Sequence, residues 1–416
     1  MWAQLLFTLY SGGIHLGNFY IFCGSFFSPK LNLLYHGRKK TQNLISGKSN
    51  LGHPVWVHCA SLGEFEQGRP LIESIKRQFP NQAILLSFFS PSGYEIRKNY
   101  AFADEIIYLP SDLTNNANEL LEYYQPSMVI LVKYEFWWNL IQSVLKCKVP
   151  LYLISGVFRE KDYFFKPIFE PFKHLLQRFD FIFNQDVASS EILSKHQIIQ
   201  QICSGDTRID RVIENAKAAL VPEKIKAISN VSTTIIYGSI WISDIEVVKD
   251  CLSAFPTFVH IIAPHDISTK NIQNIRKAIL CKSVLYSEDD LNEKVIIIDN
   301  IGMLSSLYTV ADYVYIGGGF QKGIHNILEP TVFRVPVFFG PNHQKFNEAL
   351  TFKKLGAAFS VESGEQILKH ILNFEKNEGQ KELVKKLLSQ YFEENHGATE
   401  KIIRHLYPKI NKTIIQ

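Results

Sequence analysis

The sequence predicts an α/β protein made of two successive doubly wound parallel sheets. Three observations predict it. Short runs rich in β-branched and aromatic residues recur along the chain, stretches with helical apolar spacing separate them, and one polar stretch divides the series in two. The runs are apolar throughout rather than alternating, so both faces of each strand must be covered, which in a parallel sheet means helices on either side.

The first 28 residues precede this pattern. From Trp2 to Ser28 no side chain is formally charged, and a helix of that length would extend about 40 Å against a hydrocarbon core of about 30 Å. Gln4, Gly12, Gly13, His15, Gly17, Asn18 and Gly24 make it a poor spanning helix, and it lacks the basic n-region and cleavage site of a signal peptide. Lys30, Arg38, Lys39, Lys40 and Lys48 follow with no acidic residue among them, a flank that favours the cytoplasmic side and anionic lipid. Residues 1–40 are therefore expected to be a membrane anchor or interfacial segment. The alternative is an apolar helix packed on the protein.

Residues 55–60, 83–89, 105–109, 127–132, 149–154 and 179–183 read as the buried strands of a first domain, 41–210. Leu71, Ile75 and Phe79, four apart, mark one of its helices. Residues 206–231 are polar and hold no strand, and the linker is placed at 211–231. The second series, 233–238, 257–263, 294–298, 313–316 and 335–339, belongs to a second domain, 232–416, with a helical tail from about 363.

Composition removes several function classes. With 46% hydrophobic and 20% charged residues the chain is not disordered, and 44 Lys+Arg against 40 Asp+Glu leave +4, too little to argue for nucleic acid. Six cysteines form no C-x-x-C pair and no zinc spacing, which suits a reducing cytoplasmic compartment and no structural metal. Thirty Phe beside three Met is an unusual balance, and one concentration of Phe lies at the N-terminus.

Ligands of such sheets bind outside the carboxyl ends of the strands, so the chemistry should lie in the loops there. The first strand runs into His58-Cys59-Ala60-Ser61-Leu62-Gly63-Glu64 and a helix. Glu64 at that helix mouth suits a group that takes a proton from a hydroxyl, although on spacing alone the helix dipole explains it better. Ser90-Pro91-Ser92-Gly93 ends the second strand, Lys133-Tyr134-Glu135-Phe136-Trp137-Trp138-Asn139 the fourth, and Ser155-Gly156-Val157-Phe158-Arg159 the fifth. Tyr163, Phe164, Phe165, Phe169 and Phe172, interleaved with Lys161, Lys166 and Lys173, suit either a lipid-facing surface or an inward-packing helix. In the second domain Gly238-Ser239-Ile240-Trp241 and Ala263-Pro264-His265-Asp266 end strands. The clearest loop is 313–330, YVYIGGGFQKGIHNILEP, whose glycines suit backbone amides drawn against a phosphate or simply close helix–strand packing. It has neither the G-x-G-x-x-G spacing of dinucleotide binders nor a Walker A sequence.

Taken in order, these loops resemble the Kdo transferases, which attach 3-deoxy-D-manno-octulosonic acid (Kdo) to the lipid A precursor. The likeness runs through His58 to Glu64 (H-A-x-S-x-G-E), Ser90 to Gly93 (T-P-T-G) and Glu135 to Leu140 (E-x-W-P-N-L). It continues through Gly205-Asp206, Gly238 to Trp241, Gly317 to Pro330 (G-G-S…G-G-H-N-x-L-E-P) and Gly340-Pro341. The resemblance implies a GT-B glycosyltransferase with two Rossmann-like domains around a cleft and a membrane-associated N-terminal helix. It would act at the cytoplasmic face of a bacterial inner membrane, using CMP-Kdo as donor and inverting the anomeric centre. It implies Glu64 as general base, with Ser61, Ser92, Lys133, Glu135 and Arg159 as acceptor-side candidates. CMP would be held by Ser239, His265, Gly317, Gly318, Gly319, Gly323, His325, Asn326 and Glu329. No metal or cofactor is expected, and the partners implied are CMP-Kdo, the lipid A precursor and anionic inner-membrane lipid. Three positions depart from the family pattern: Lys133 where an acidic residue is usual, Trp138 where Pro is usual, and Pro264 where Arg is common. Other GT-B enzymes, such as a nucleotide-sugar 2-epimerase, and a non-catalytic membrane-bound scaffold of the same fold are the alternatives.

Overall fold

A computed structural model describes residues 2–45, 49–133, 135–288 and 291–415, with side chains as far as 410. Lys48 of the basic run and Tyr134 of the fourth strand-end loop lie outside the described residues. The chain divides into two units, residues 1–210 with 395–416, and residues 211–394.

In the first unit the apolar runs become β1 (Val55–Cys59), β2 (Ile84–Phe88), β3 (Glu105–Tyr108), β4 (Met128–Val132), β5 (Leu151–Gly156), β6 (Phe181–Asn184) and β7 (Gln201–Cys203). All are parallel, in the order β3-β2-β1-β4-β5-β6-β7. Every residue of β1, β2, β4 and β5 is buried, as strands covered on both faces require. One layer of the core holds Trp56, Leu131, Trp138 and Phe172, the other Val57, Phe65, Ile130 and Phe183. The helices that bear on the site are α1 (Trp2–Gly24), α2 (Pro29–Leu44), α3 (Leu62–Gln78), α4 (Pro91–Arg97), α5 (Thr114–Tyr124) and α6 (Trp138–Lys146).

The second unit carries β8 (Thr234–Ile240), β9 (Val259–Pro264), β10 (Val284–Leu285), β11 (Val295–Ile297), β12 (Tyr313–Ile316), β13 (Val337–Phe339) and β14 (Ala358–Ser360). They form a second parallel sheet, in the order β10-β11-β9-β8-β12-β13-β14.

The tail is not wholly part of the second unit. Ile402, Ile403, Leu406 and Ile410 of the helix Ala398–Ile415 are buried against the first sheet, and Asp210 accepts the N–H groups of Gly397 and Thr399 at 2.6 Å each. An apolar stripe at i, i+4 and i+8 needs a face to cover, and the first sheet supplies one. The stretch placed as a linker is itself helical, over Thr207–Lys217 and Glu223–Ser229, and buries Val212 and Ile225.

The N-terminal segment forms α1 and α2. Phe7 packs edge-on against Phe172 at 5.0 Å, Trp2 Nε1 donates to the Ile168 carbonyl at 3.1 Å, and Tyr10 Oη donates to Asp112 at 2.7 Å. Another side of α1 is bare: Leu9, Leu16, Phe19 and Tyr20 are exposed, and Phe26 and Phe27 follow at 71% and 89% exposure. Among the described residues no helix is long and apolar enough to cross a membrane. The aromatic run 163–172 packs mainly inward. Phe164 and Phe172 are buried and Phe165 stacks on His196 at 4.1 Å, while Tyr163 and Ile168 stay exposed.

Candidate active site

In a doubly wound sheet the strand order reverses at one point, and the loops leaving the two strands there diverge to open a crevice. The reversal lies between β1 and β4 in the first sheet and between β8 and β12 in the second. The four loops with the richest chemistry in the sequence leave these four strands.

In the first unit Ser61 caps α3 and Glu64 sits in its first turn, where the helix dipole favours a carboxylate. The Ser61 hydroxyl donates to Glu64 Oε2 rather than capping a backbone N–H. Glu135, on the loop after β4, is buried. Its Oε2 lies 3.0 Å from His58 Nε2 and 2.5 Å from Trp137 Nε1, while His58 Nδ1 lies 2.8 Å from Ser87 Oγ, which also receives Trp56 Nε1–H at 2.7 Å. One assignment gives each of these donors an acceptor. Trp56 donates to Ser87, Ser87 to His58 Nδ1, His58 Nε2–H to Glu135, and Trp137 to the same carboxylate oxygen. Both Glu135 and Glu64 act on the buried Cys59 thiol, whose pKa is pushed up by burial first and then by these carboxylates and Glu66.

Lys133 takes a left-handed backbone, φ 67°, where the chain leaves β4. Ser92 is exposed at the start of α4, 2.7 Å from the Ser90 hydroxyl. Arg159 is exposed, and its backbone N–H is held by Asp162 at 2.8 Å. Beyond these predicted positions, Asp206 grips Arg208 through two guanidinium nitrogens at 2.7 and 3.0 Å.

In the second unit three rings are stacked. Trp241 lies 4.3 Å from His265, and His265 lies 4.5 Å from His325, centroid to centroid. Trp241 Nε1 donates to His325 Nε2 at 3.0 Å, so neutral His325 carries its proton on Nδ1. Burial, then the neighbouring His265, lowers the His325 pKa to about 4, which keeps the ring neutral at pH 7.

Gly317, Gly318 and Gly319 bring three backbones together. A Cβ on Gly317 would lie 2.6 Å from Ile240 Cα, and one on Gly319 would lie 2.6 Å from the Cα and N of Gly340. Gly318 has φ 90°. The N–H groups of Gly317 and Gly318 are taken by Gly238 O at 2.9 Å and Asp244 Oδ2 at 3.1 Å, and that of Gly323 by Gly318 O at 3.3 Å. Buried Asp244 also accepts Trp241 N–H and the Tyr315 hydroxyl, tying the β8 and β12 loops together. Asn326 donates to Glu329 at 3.1 Å, and its Oδ1 accepts the Leu328 N–H at 3.0 Å, where the short helix Leu328–Thr331 begins.

Residues 33–211 match the family described as 3-deoxy-D-manno-octulosonic-acid transferase (kdotransferase). Over that stretch the chain is similar to the Kdo transferases. It is 28% identical over 321 residues to the 3-deoxy-D-manno-octulosonic acid transferase of Aquifex aeolicus, covering 76% of this chain and 84% of that protein. It is 26% identical over 367 residues to a bifunctional glycosyltransferase/methyltransferase of Fusobacterium nucleatum, covering 84% of this chain. The chain spans 56% of that relative's length. Among solved structures, UDP-GlcNAc 2-epimerase from Neisseria meningitidis bound to UDP-GlcNAc aligns with a TM-score of 0.61, covering 85% of this chain and 100% of that one. At 16% identity this likeness shows the fold alone.

The departures from the Kdo-transferase pattern have local accounts at two of the three positions. Trp138 is a core residue, stacked on Phe136, packed with its ring tilted against Phe172, and donating to the Tyr163 hydroxyl at 3.0 Å. Pro264 is buried as the last residue of β9 and leaves His265 exposed beside Trp241. Sequence reasoning missed Ser87, Asp244 and the pairing roles of His58, Trp137 and Trp241. The signals were a Ser inside an apolar strand run and a Trp beside a carboxylate, both of which require buried partners.

Proposed function

We propose that the chain is an inverting glycosyltransferase that moves Kdo from CMP-Kdo to a hydroxyl of the lipid A precursor. Glu64 takes the proton of the acceptor hydroxyl, and the oxygen attacks the anomeric carbon of Kdo from the face opposite CMP. The bond to the phosphate oxygen of CMP breaks, and CMP departs with the electron pair. The family match carries this reading. Two features support it: a carboxylate in the first turn of α3, and a ring stack with a glycine loop at the reversal of the second sheet. In this reading CMP lies near Ser239, His265, His325, Asn326 and Glu329, and the loop Gly317–Gly323 lies near its phosphate. Ser61 orients Glu64, Glu135 is held rigid by His58 and Trp137, and Ser92, Lys133 and Arg159 border the acceptor.

The bare apolar side of α1, followed by the basic stretch from Lys30 to Lys40, supports an interfacial role at the cytoplasmic face of an inner membrane. The reading needs no metal.

Incubation with CMP-Kdo and a tetraacylated disaccharide acceptor should give a lipid heavier by one or more Kdo units in the mass spectrum. No product from the wild type sinks the reading, and full activity in Glu64→Gln sinks the base assignment. Protection against proteolysis by UDP and not by CMP would favour an epimerase.

A further inference from the structure

A cavity of about 270 Å³ lies between α1 and α2, lined on its polar side by Asn18, Tyr35, Arg38, Lys39, Gln42 and Ser111. Its walls carry two cations and no carboxylate. Arg38 is 8% exposed, its Nε is buried without a hydrogen-bond partner, and among the described residues its guanidinium meets no acidic group. The face of Phe89 lies 4.8 Å from its guanidinium carbon. Burial unopposed by any anion lowers its pKa from 12.5 to about 10, so the group stays charged at pH 7. A buried guanidinium is costly unless an anion pairs with it, and the planar fork suits a phosphate. From Arg38 a chain of contacts reaches the candidate active site: Phe89 stacks on Trp137 at 4.6 Å, and Trp137 donates to Glu135.

We propose that this cavity is an anion subsite that takes a phosphate monoester of the acceptor glycolipid, with Arg38 as its buried fork and Lys39 at its rim. The inference rests on the acceptor class proposed above and assigns that acceptor a point of recognition. Asn18, Gln42, Tyr35 and Ser111 offer hydrogen bonds to the remaining phosphate oxygens. Because α1 and α2 supply most of the wall, the same two helices that meet the lipid surface would select the headgroup.

Equilibrium binding needs no donor and tests the subsite apart from the chemistry. The probes are detergent micelles of the bisphosphorylated tetraacyl disaccharide, the same lipid after phosphatase treatment, and phosphatidylglycerol vesicles. Wild type should bind the phosphorylated form at least tenfold more tightly than the dephosphorylated one. Arg38→Gln should bring the two within twofold while vesicle binding falls by less than twofold. Retained preference in Arg38→Gln overturns the proposal. So does a loss confined to vesicles, which would make the cavity a site for bilayer phosphodiesters. Lys39→Gln, at an exposed position, decides the matter if Arg38→Gln does not fold: at least a threefold loss of preference is expected, and none overturns the subsite. A wild type that prefers phosphate yet transfers no Kdo keeps the subsite and sinks the proposed function.

Discussion

Ser87→Ala tests whether the first unit's polar relay is one connected object. Ser87 is the only described partner that accepts from Trp56 Nε1 and also bonds to His58 Nδ1, and all three residues are completely buried. Removing the hydroxyl orphans one donor and one acceptor, each at a cost of about 1–3 kcal/mol, so the first unit should lose roughly 2–6 kcal/mol. With a urea m-value of about 3 kcal/mol per M, the unfolding midpoint should fall by roughly 0.7–2 M. Tryptophan fluorescence suits the measurement, because Trp2, Trp56, Trp137 and Trp138 lie in the first unit and Trp241 alone in the second. A double-mutant cycle separates the relay from packing. In a Trp56→Phe background the same change orphans only His58, so its cost should shrink by about 1–3 kcal/mol. Additivity within about 0.5 kcal/mol would refute the connected relay. So would a Ser87→Ala protein as stable as wild type.

Two further outcomes follow from the second unit. Gly319→Ala drives a methyl onto the Gly340 backbone, which has no flexible end to yield, so the variant should melt at a lower temperature and lose CMP protection against proteolysis. Unchanged melting would mean the loops can part freely. His325 is lowered from the ordinary histidine value to about 4, so between pH 6.5 and 4 the unfolded chain takes up a proton that the folded ring refuses. The stack's contribution is therefore complete above about pH 6.5 and lost as pH falls towards 4. Thermal melts at pH 7, 5.5 and 4 should show this fall, His325→Gln should remove part of it, and an imidazolium seen by NMR at pH 5.5 would contradict it.

How much of this was legible depended on how local the cause was. The long apolar runs announced the inner strands, because complete burial on both faces leaves no polar position. The edge strands β7, β10 and β14 escaped, since two or three residues with one face half covered leave no pattern; Ile202 in β7 is 48% exposed. The return of residues 395–416 to the first unit was not readable either: Ile402, Leu406 and Ile410 announce a buried stripe but not which sheet it covers. Glu64 and the glycine loop were found through motif spacing. Arg38 was read as one charge in a basic flank, and only its burial between α1 and α2 separates it from Lys39 and Lys40.

The strand ends show why motif order picked out the candidate loops without giving their geometry. Lys133 after β4, Ser155 within β5 and Ser239 within β8 all have left-handed backbones, with φ of 67°, 53° and 55°. Such a conformation costs a non-glycine residue about 1–2 kcal/mol, and neither Ser nor Lys signals it in a sequence. Ladder pairing persists on both sides of each serine. The register shifts between Leu153 and Gly156 in β5, and between Gly238 and Ile240 in β8, before pairing resumes. A bulge of this kind turns the end of a strand and re-aims the side chains beyond it. After Ser239 the next residues are Ile240, packed into the core, and Trp241, laid over His265 and bonded to His325. Had β8 run straight, the one-residue change in phase would have exchanged the directions of Ile240 and Trp241, placing a large ring in the core and an isoleucine against the histidines. The strained serine is thus what lets one short sequence, Gly238-Ser239-Ile240-Trp241, close the core and open the site at the same strand end.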